Sequence, residues 1–413
     1  MRISTSQMFN GSLNAMLDNQ ASVAKTQLQL STGRRMLTAA DDPAASAEVL
    51  NLNQAIASTQ QYQANADTAR ARLSLEDSTL GNVGDLLQRV RELTVQANND
   101  SQTPETRSYI ATELSQLHDQ LVGLANTRDA NGEYLFAGFK GNSQPFVQNA
   151  AGQVSYVGDQ NSRYLQIGPG QQIADGEPGS AVFMGVRNGN GTFTTLNNPA
   201  NTGSGIIVPG GVSNPAAFVP ETYTISFVTN AAGQLAYNVF GSVSGQLIPA
   251  LPAVTPANAP AYVDGATISV NGFQVSITGT PAVADSFTVS PSASQDVFAT
   301  LQNIATALST YPNTPAGVAS LHNAMNRGLS DLDQALGNMD EARARAGARI
   351  NTLDSQKSAN DSFVLQAQKS LSDVQDLDFA SATSRLNQQI LSLQAAQQTF
   401  VKVQGLSLFS YLR

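Results

Sequence analysis

Both ends of this chain repeat apolar residues at helical spacing, and the middle does not. Leu13, Leu17, Ala21, Ala24 and Leu28 near the N-terminus recur every three or four residues, as do Leu386, Ile390, Leu393, Ala396, Phe400 and Val403 near the C-terminus. That period aligns side chains along one face of an α-helix. Each stripe is too narrow to bury itself, and the two lie at opposite ends of 413 residues. The simplest use is to pack them against each other or against another chain. Leu13, Leu17, Ala24, Leu28, Leu386, Ile390, Leu393, Phe400 and Val403 are therefore the candidate assembly interface.

Helical patterning continues inward from both ends. Over residues 69–97 Leu73, Leu80 and Leu87 interleave with Val83, Val90 and Ala97, Leu86 and Leu93 widen the stripe, and Glu76 and Thr94 fall on the same seam. Ile110, Leu117 and Leu124 alternate with Leu114 and Leu121 in a second helix, and Pro104 suits its first turn, where amide donors are spare. The link NNDSQTPE between them predicts an antiparallel pair. Helical spacing returns at Phe298, Leu301, Ile304 and Leu308, and again from Leu329 to Val374. If the long helix runs antiparallel to the earlier one, Arg343 on its seam is the partner expected for Glu76.

From about Pro145 to Pro291 the composition changes to Gly, Pro, Thr, Val and Asn. TYTISFV and ATISVNGFQVSI read as half-buried strands, NGNG at 188–191 and NAAG at 230–233 as turns. PALPAVTPANAPAY has too many prolines for a central strand. The expected fold is mainly α with a β-rich insert: an elongated helical bundle or coiled-coil rod formed by both chain ends, carrying a central β domain. The expected divisions are 1–40 with 376–413 as a terminal coiled-coil assembly domain, 41–144 with 293–375 as the rod, and 145–292 as the outer β domain.

A formal charge of -9 and singly scattered basic residues, such as Arg343, Arg345 and Arg349, argue against a nucleic-acid partner, whose phosphates need clustered cations. There is no cysteine, which removes disulfides, zinc thiolates, iron-sulfur clusters and thiol nucleophiles together. MRISTSQMFNGSL lacks the apolar core of a cleaved signal, and no run approaches the roughly 18 residues that span a bilayer, so no membrane association is expected. The two histidines, His118 and His322, have no companion at metal-ligand spacing and read as exposed or rim residues. Asp373, Asp376 and Asp378 lack the alternating ligands and turn glycine of an EF-hand and mark a helix break and restart before Phe379. RNGNGTF does not open a helix as a phosphate loop would. Asp41, Asp42 and Pro43 look like paired carboxylates, but an Asp cap with proline at the first helical position explains all three. No catalytic, cofactor-binding or metal-binding residue emerges, and the chain reads as a non-enzyme.

STGRRMLTAADDPAASAEV, at 31–49, resembles the N-terminal signature of bacterial flagellins and flagellin-like junction proteins, and the end from Asp378 through LNQQILSLQAAQQTF to SLFSYLR is similar to the same family's terminal helix. NTRDANGEYLFAGFKGNSQPF at 126–146 and DSFTVSPSASQDVFATLQNIATAL at 285–308 resemble the hook-filament junction branch, whereas flagellins usually carry an Asn-Gly-Lys-Lys-Leu-Leu type of segment at the first place. The likeness covers roughly 1–146 and 285–413, with DGEPGSAVF at 175–183 a weaker hint inside the insert. It implies a structural protein of the bacterial flagellum, exported unfolded through the type III apparatus with an export chaperone. It also implies assembly as a homo-oligomeric ring beside a neighbouring hook-associated protein and flagellin, with the paired terminal helices innermost and the insert outward. Helices with so thin a stripe are marginal alone, so residues 1 to about 40 and 376–413 are expected to order on assembly. The alternative is flagellin itself, the main filament subunit. A glycan-binding role for the insert finds no aromatic platform, tryptophan being absent. A metalloprotease insert would need His-Glu-x-x-His, which neither histidine supplies.

Overall fold

Among the described residues, six α-helices account for the two ends of the chain, and short strands joined by turns and loops for the middle. A computed structural model describes residues 5–250 and 255–405. The helices are α1 (Thr5–Thr32), α2 (Pro43–Ala97), α3 (Pro104–Ala125), α4 (Val297–Thr310), α5 (Pro315–Gln375) and α6 (Phe379–Gly405). Several start on side-chain caps: the Thr103 hydroxyl accepts the Thr106 amide before Pro104, and Asp296 accepts the Ala299 amide at 2.5 Å. Each such cap satisfies an amide that would otherwise lack an acceptor.

The chain divides into two compact units, Met1–Ala64 with Ser355–Arg413, and Asn65–Asp354. The sequence placed divisions near 40 and 376 instead. Both cuts fall inside α2 and α5, which run on without a cap, glycine or proline at the crossing, so no local signal marks them.

Within the second unit α3 and α5 each run antiparallel to α2, the first as the short link predicted. Arg89 pairs with Glu113 at 2.8 Å, and Arg91 of α2 reaches Asp333 of α5 at 2.7 Å. Leu73, Leu80, Val83, Leu87, Val90 and Ala97 are fully buried, as are Leu114, Leu121, Leu301 and Leu332. Removing each such leucine from water is worth roughly 1.5–3 kcal/mol. Arg343 pairs with Asp77 at 3.1 Å, not with Glu76. Residue 77 lies a step further round the helix, where both charges stay wet, which avoids the desolvation a buried pair requires.

The β insert has a core of its own. A five-stranded antiparallel sheet runs in the order Gly245–Ile248, Leu235–Gly241, Tyr223–Thr229, Ser286–Pro291, Phe193–Asn197. Thr267–Val270 and Phe273–Thr278 form the hairpin of a second sheet that also takes Ile206–Ile207. Alternate residues of both sheets meet in one cluster that includes Phe193, Tyr223, Ile225, Phe227, Phe273, Val275, Ile277 and Phe287. The hairpin turn is Asn271-Gly272, with φ of 42° and 81°. Two positive φ angles make the twisted two-residue turn that Asn-Gly prefers. NAAG at 230–233 likewise turns between two strands, and the proline-rich stretch forms the short 3-10 turn Pro256–Asn258 and a single antiparallel bridge from Ala261 to Ala236 among the described residues.

Candidate assembly surface

In the first unit α1 and α6 pack antiparallel. Phe9 meets Phe400 with ring centroids 5.1 Å apart, and Thr26 donates to Gln389 Oε1 at 2.8 Å. On α6 the inward residues are Ala382, Leu386, Gln389, Leu393, Ala396 and Phe400, with Ile390 beside them half-buried. On α1 they are Ser12, Met16, Asn19, Val23, Thr26 and Leu30, a 4-3 seam that is half polar. Hydropathy does not reveal a seam in which Ser12, Asn19 and Thr26 interrupt Met16, Val23 and Leu30, and the leucine stripe read from the sequence lies on a different face. Leu13 borders the packed side, but Leu17 and Leu28 are 50% and 52% exposed, and Ala21 and Ala24 are exposed too. The N-terminal stripe therefore points mostly outward. Leu391 and Val401 on α6, at 68% and 66% exposure, do the same. The Val403 side chain and the ending SLFSYLR lie outside the described residues.

The signature at 31–49 forms the clasp that lets the two ends meet. Gly33, at φ 68°, ends α1 in the left-handed conformation that only glycine adopts without strain, and its carbonyl accepts the Leu377 amide at 2.9 Å. Arg35 donates from its backbone to Gln375 O at 2.8 Å and from its guanidinium to Val374 O at 2.9 and 3.2 Å. A cation on the last carbonyls of α5 satisfies acceptors that have no helical donor and complements the helix dipole. Nothing in the sequence singled out Arg35.

Asp42 accepts the Ala45 amide at 3.0 Å and caps α2, with Pro43 as the first helical residue, as expected. Asp41 does not cap. Its carboxylate takes the Leu37 and Thr38 amides, each at 3.0 Å, and the Lys25 ammonium at 2.6 Å. The Lys25 contact first, then the two amides, hold its carboxyl well below the usual range. Asp378 starts α6: it accepts the Ala380 and Ser381 amides and the Ser381 hydroxyl, which keep its carboxyl low as well. The break before Phe379 is thus a cap, as the acidic run suggested.

Neither histidine is exposed. His118 is 6% exposed with its ring edge-on to Phe298, and His322, at 8%, lies 2.7 Å from Asn98 Oδ1 and 2.9 Å from Asp100 Oδ1. Their positions beside Leu117 and Leu321 turn them into the bundle and not to its rim. Among the described residues no group of three His, Asp or Glu could hold a metal.

The second unit brings YLFAG and DGEPGSAVF together. Gly179 donates to Phe136 O at 2.9 Å, and Phe136 meets Phe183 edge-on at 5.1 Å. Arg72, 7% exposed, binds Asp129 at 2.7 Å and the carbonyls of Tyr134 and Leu135. Arg163 pairs with Asp175 at 2.7 Å, and Arg349 with Glu177 at 2.7 Å.

Residues 3–140 match the family described as the bacterial flagellin N-terminal helical region. Flagellar hook-associated protein 3 of Escherichia coli is 27% identical over 410 residues, 99% of each chain. The crystal structure of flagellar hook-associated protein 3 from Legionella pneumophila is 34% identical, with a TM-score of 0.76 over 79% of this chain and 98% of that one. The chain belongs to the hook-associated protein 3 family. A second Legionella pneumophila structure, of the flagellar junction protein FlgL, is 35% identical with a TM-score of 0.70, covering 74% of this chain and 99% of that one. Flagellins are more distant relatives. Similarity to hook-associated protein 3 runs through the β insert, beyond the two ends that carried the resemblance in sequence. The protein is thus a flagellar junction component that works with other parts of the flagellum in motility. Among the described residues no helix is long and apolar enough to cross a membrane.

Proposed function

We propose that this member of the hook-associated protein 3 family joins hook to filament by assembling copies of itself into a ring through α1 and α6. One observation carries the reading. The first unit keeps large apolar side chains in water: Leu17, Leu28 and Leu391, together with Leu50, Phe363 and Leu365 at 69%, 49% and 70% exposure. Side chains of this size left in water offer a neighbouring chain apolar area to bury. Leu386, Ile390, Leu393 and Phe400 join α6 to α1, and Leu17 and Leu28 are left for neighbouring copies. Flanking rings of hook-associated protein and flagellin are the partners at its two ends, and an export chaperone is the partner beforehand.

The α1–α6 seam is narrow and half polar, so most of the stability of these helices comes with assembly. Leu28→Asp with Leu391→Asp removes outward leucines only. The double variant is expected to fold as wild type, leave hooks bare and release flagellin into the medium. Normal filaments on normal hooks would overturn the ring reading. A labelled antibody should mark a single band at the distal end of the hook, and staining along the filament would make the chain a bulk subunit.

A further inference from the structure

α3 and α4 lie side by side and antiparallel, with His118 beside Phe298 at one end and Arg107 beside Tyr311 at the other. Along the outer side of this pair α3 places Ser108, Thr112 and Ser115, and α4 places Gln302, Thr306 and Ser309, at the same alternating spacing. Such short side chains leave a trough of about 470 Å³, in which Ala111 and Ala305 lie deeper. The turn at 149–152, between strands Phe146–Gln148 and Val154–Tyr156, borders it where Gln302 donates to Ala151 O at 2.8 Å.

His118 gives the trough a polar group that the fold leaves unserved. It lines the trough while being 6% exposed, and its Nε2 is buried with no hydrogen-bond partner. Nδ1 lies 3.5 Å from Asp119 Oδ1, at the limit of a hydrogen bond, and that carboxylate oxygen also takes Gln148 Nε2 at 3.3 Å. His322, buried to the same degree, has an oxygen at each ring nitrogen. A buried polar atom left alone is unfavourable until something pairs with it.

The lining narrows the class of ligand. Among the described residues no Lys or Arg lines the trough, and Asp119 is its one carboxylate, so a phosphate or a carboxylate would meet no cation. One carboxylate open to water holds a cation weakly. No aromatic ring lines the trough to stack on a flat ligand. What remains is a wall of hydroxyls and carboxamides, groups that both donate and accept. A ligand hydroxyl does the same, so it can pair with Nε2 whether or not that nitrogen carries a proton. We propose that the trough between α3 and α4 binds a neutral sugar of one or two rings, with one sugar hydroxyl on His118 Nε2. Its volume falls within the roughly 300–1,000 Å³ of small-ligand sites.

His118 and His322 are the two histidines of the chain, so ring-nitrogen NMR of full-length protein carrying isotope-labelled histidine reports the trough and an internal control together. At fixed pH, glucose or maltose is expected to move the His118 signals saturably, with a Kd of about 1–10 mM because every hydroxyl must leave water, and to leave His322 unmoved. Inorganic phosphate should move neither. Ala305→Leu and Ser115→Leu each put a longer side chain into the trough and should weaken the better sugar by about tenfold or more. Ser115 is exposed, so its variant serves if Ala305→Leu does not fold. No saturable movement of His118 with either sugar, movement with sorbitol alone, equal movement of both histidines, or full affinity in Ser115→Leu would each overturn the site.

Discussion

Asp41 and Asp42 are neighbours of one residue type, and their geometry gives them separate roles. Asp42→Ala removes a helix cap and should cost about 1 kcal/mol, read as a lower midpoint in denaturant. Asp41 ties the clasp to Lys25, and its lowered carboxyl has a definite sign. A depressed folded value means that the contribution is present above the unfolded value of about 3.9 and is lost as pH falls below it. The melting gap between wild type and Asp41→Asn should therefore be constant above about pH 5 and narrow below about 4. Glu76 runs the other way. Its folded value is raised, so its stabilising effect is complete below the unfolded value of about 4.3 and disappears as pH climbs to about 8. Glu76→Gln should melt above wild type at pH 8 and level with it at pH 4. Arg107, 3% exposed, donates to Ala97 O, Asn99 O and the Tyr311 hydroxyl. Arg107→Leu takes the buried guanidinium from Ala97 O and from Asn99 O, which keeps only the Gln102 amide, and should cost roughly 2–4 kcal/mol in urea unfolding. Cap residues such as Asp42 are legible because the motif is local, whereas Arg35 and Arg107 act on carbonyls of other segments that no spacing predicts.

Among the elements, the α1–α6 pair mixes polar with apolar residues at its seam. Its seam includes Asn19 and Thr26 on one side and Gln389 on the other, where a stable coiled coil would carry leucine or isoleucine. Replacing Asn19 and Thr26 with leucine should strengthen the pair by about 1 kcal/mol per site through added apolar burial. Monomeric protein would then show slower amide exchange across α6. Unchanged exchange would mean that these positions do not face α6. The same comparison explains what was legible in the helices. In α2 the apolar heptad positions are also the buried ones, so period alone located the core there, whereas in α3 Ile110, Leu114 and Leu121 are buried but Leu117 and Leu124 only half-buried, and Ala111, His118 and Ala125 take inner positions. In α1 a half-polar seam packs on α6 and the leucine stripe faces water, so period located a helix but left open whether the stripe meets the other end or another chain.

At the scale of the molecule, the β insert leaves and re-enters the helical unit at one place. Asn188 donates to Ala293 O at 3.0 Å and Arg187 pairs with Ser294, so its two ends are neighbours. With that closure and a separate core, residues 186–295 expressed alone are expected to unfold cooperatively in urea, with a slope of about 1–3 kcal/mol per molar. A gradual loss of signal would show that Asp331 and Asn323 of α5, which bind Gly189 and Ile207, are needed to hold it. The order of helices, insert and helices, the strands on either side of Asn271-Gly272 and the family were determined by the sequence, because periodicity, turn chemistry and short motifs are local properties. Which sheets share a core, which side of α1 faces solvent, and that YLFAG and DGEPG meet over a buried glutamate were decided only by tertiary structure. Those outcomes depend on residues far apart in the chain competing for the same buried space, and no single stretch carries that information.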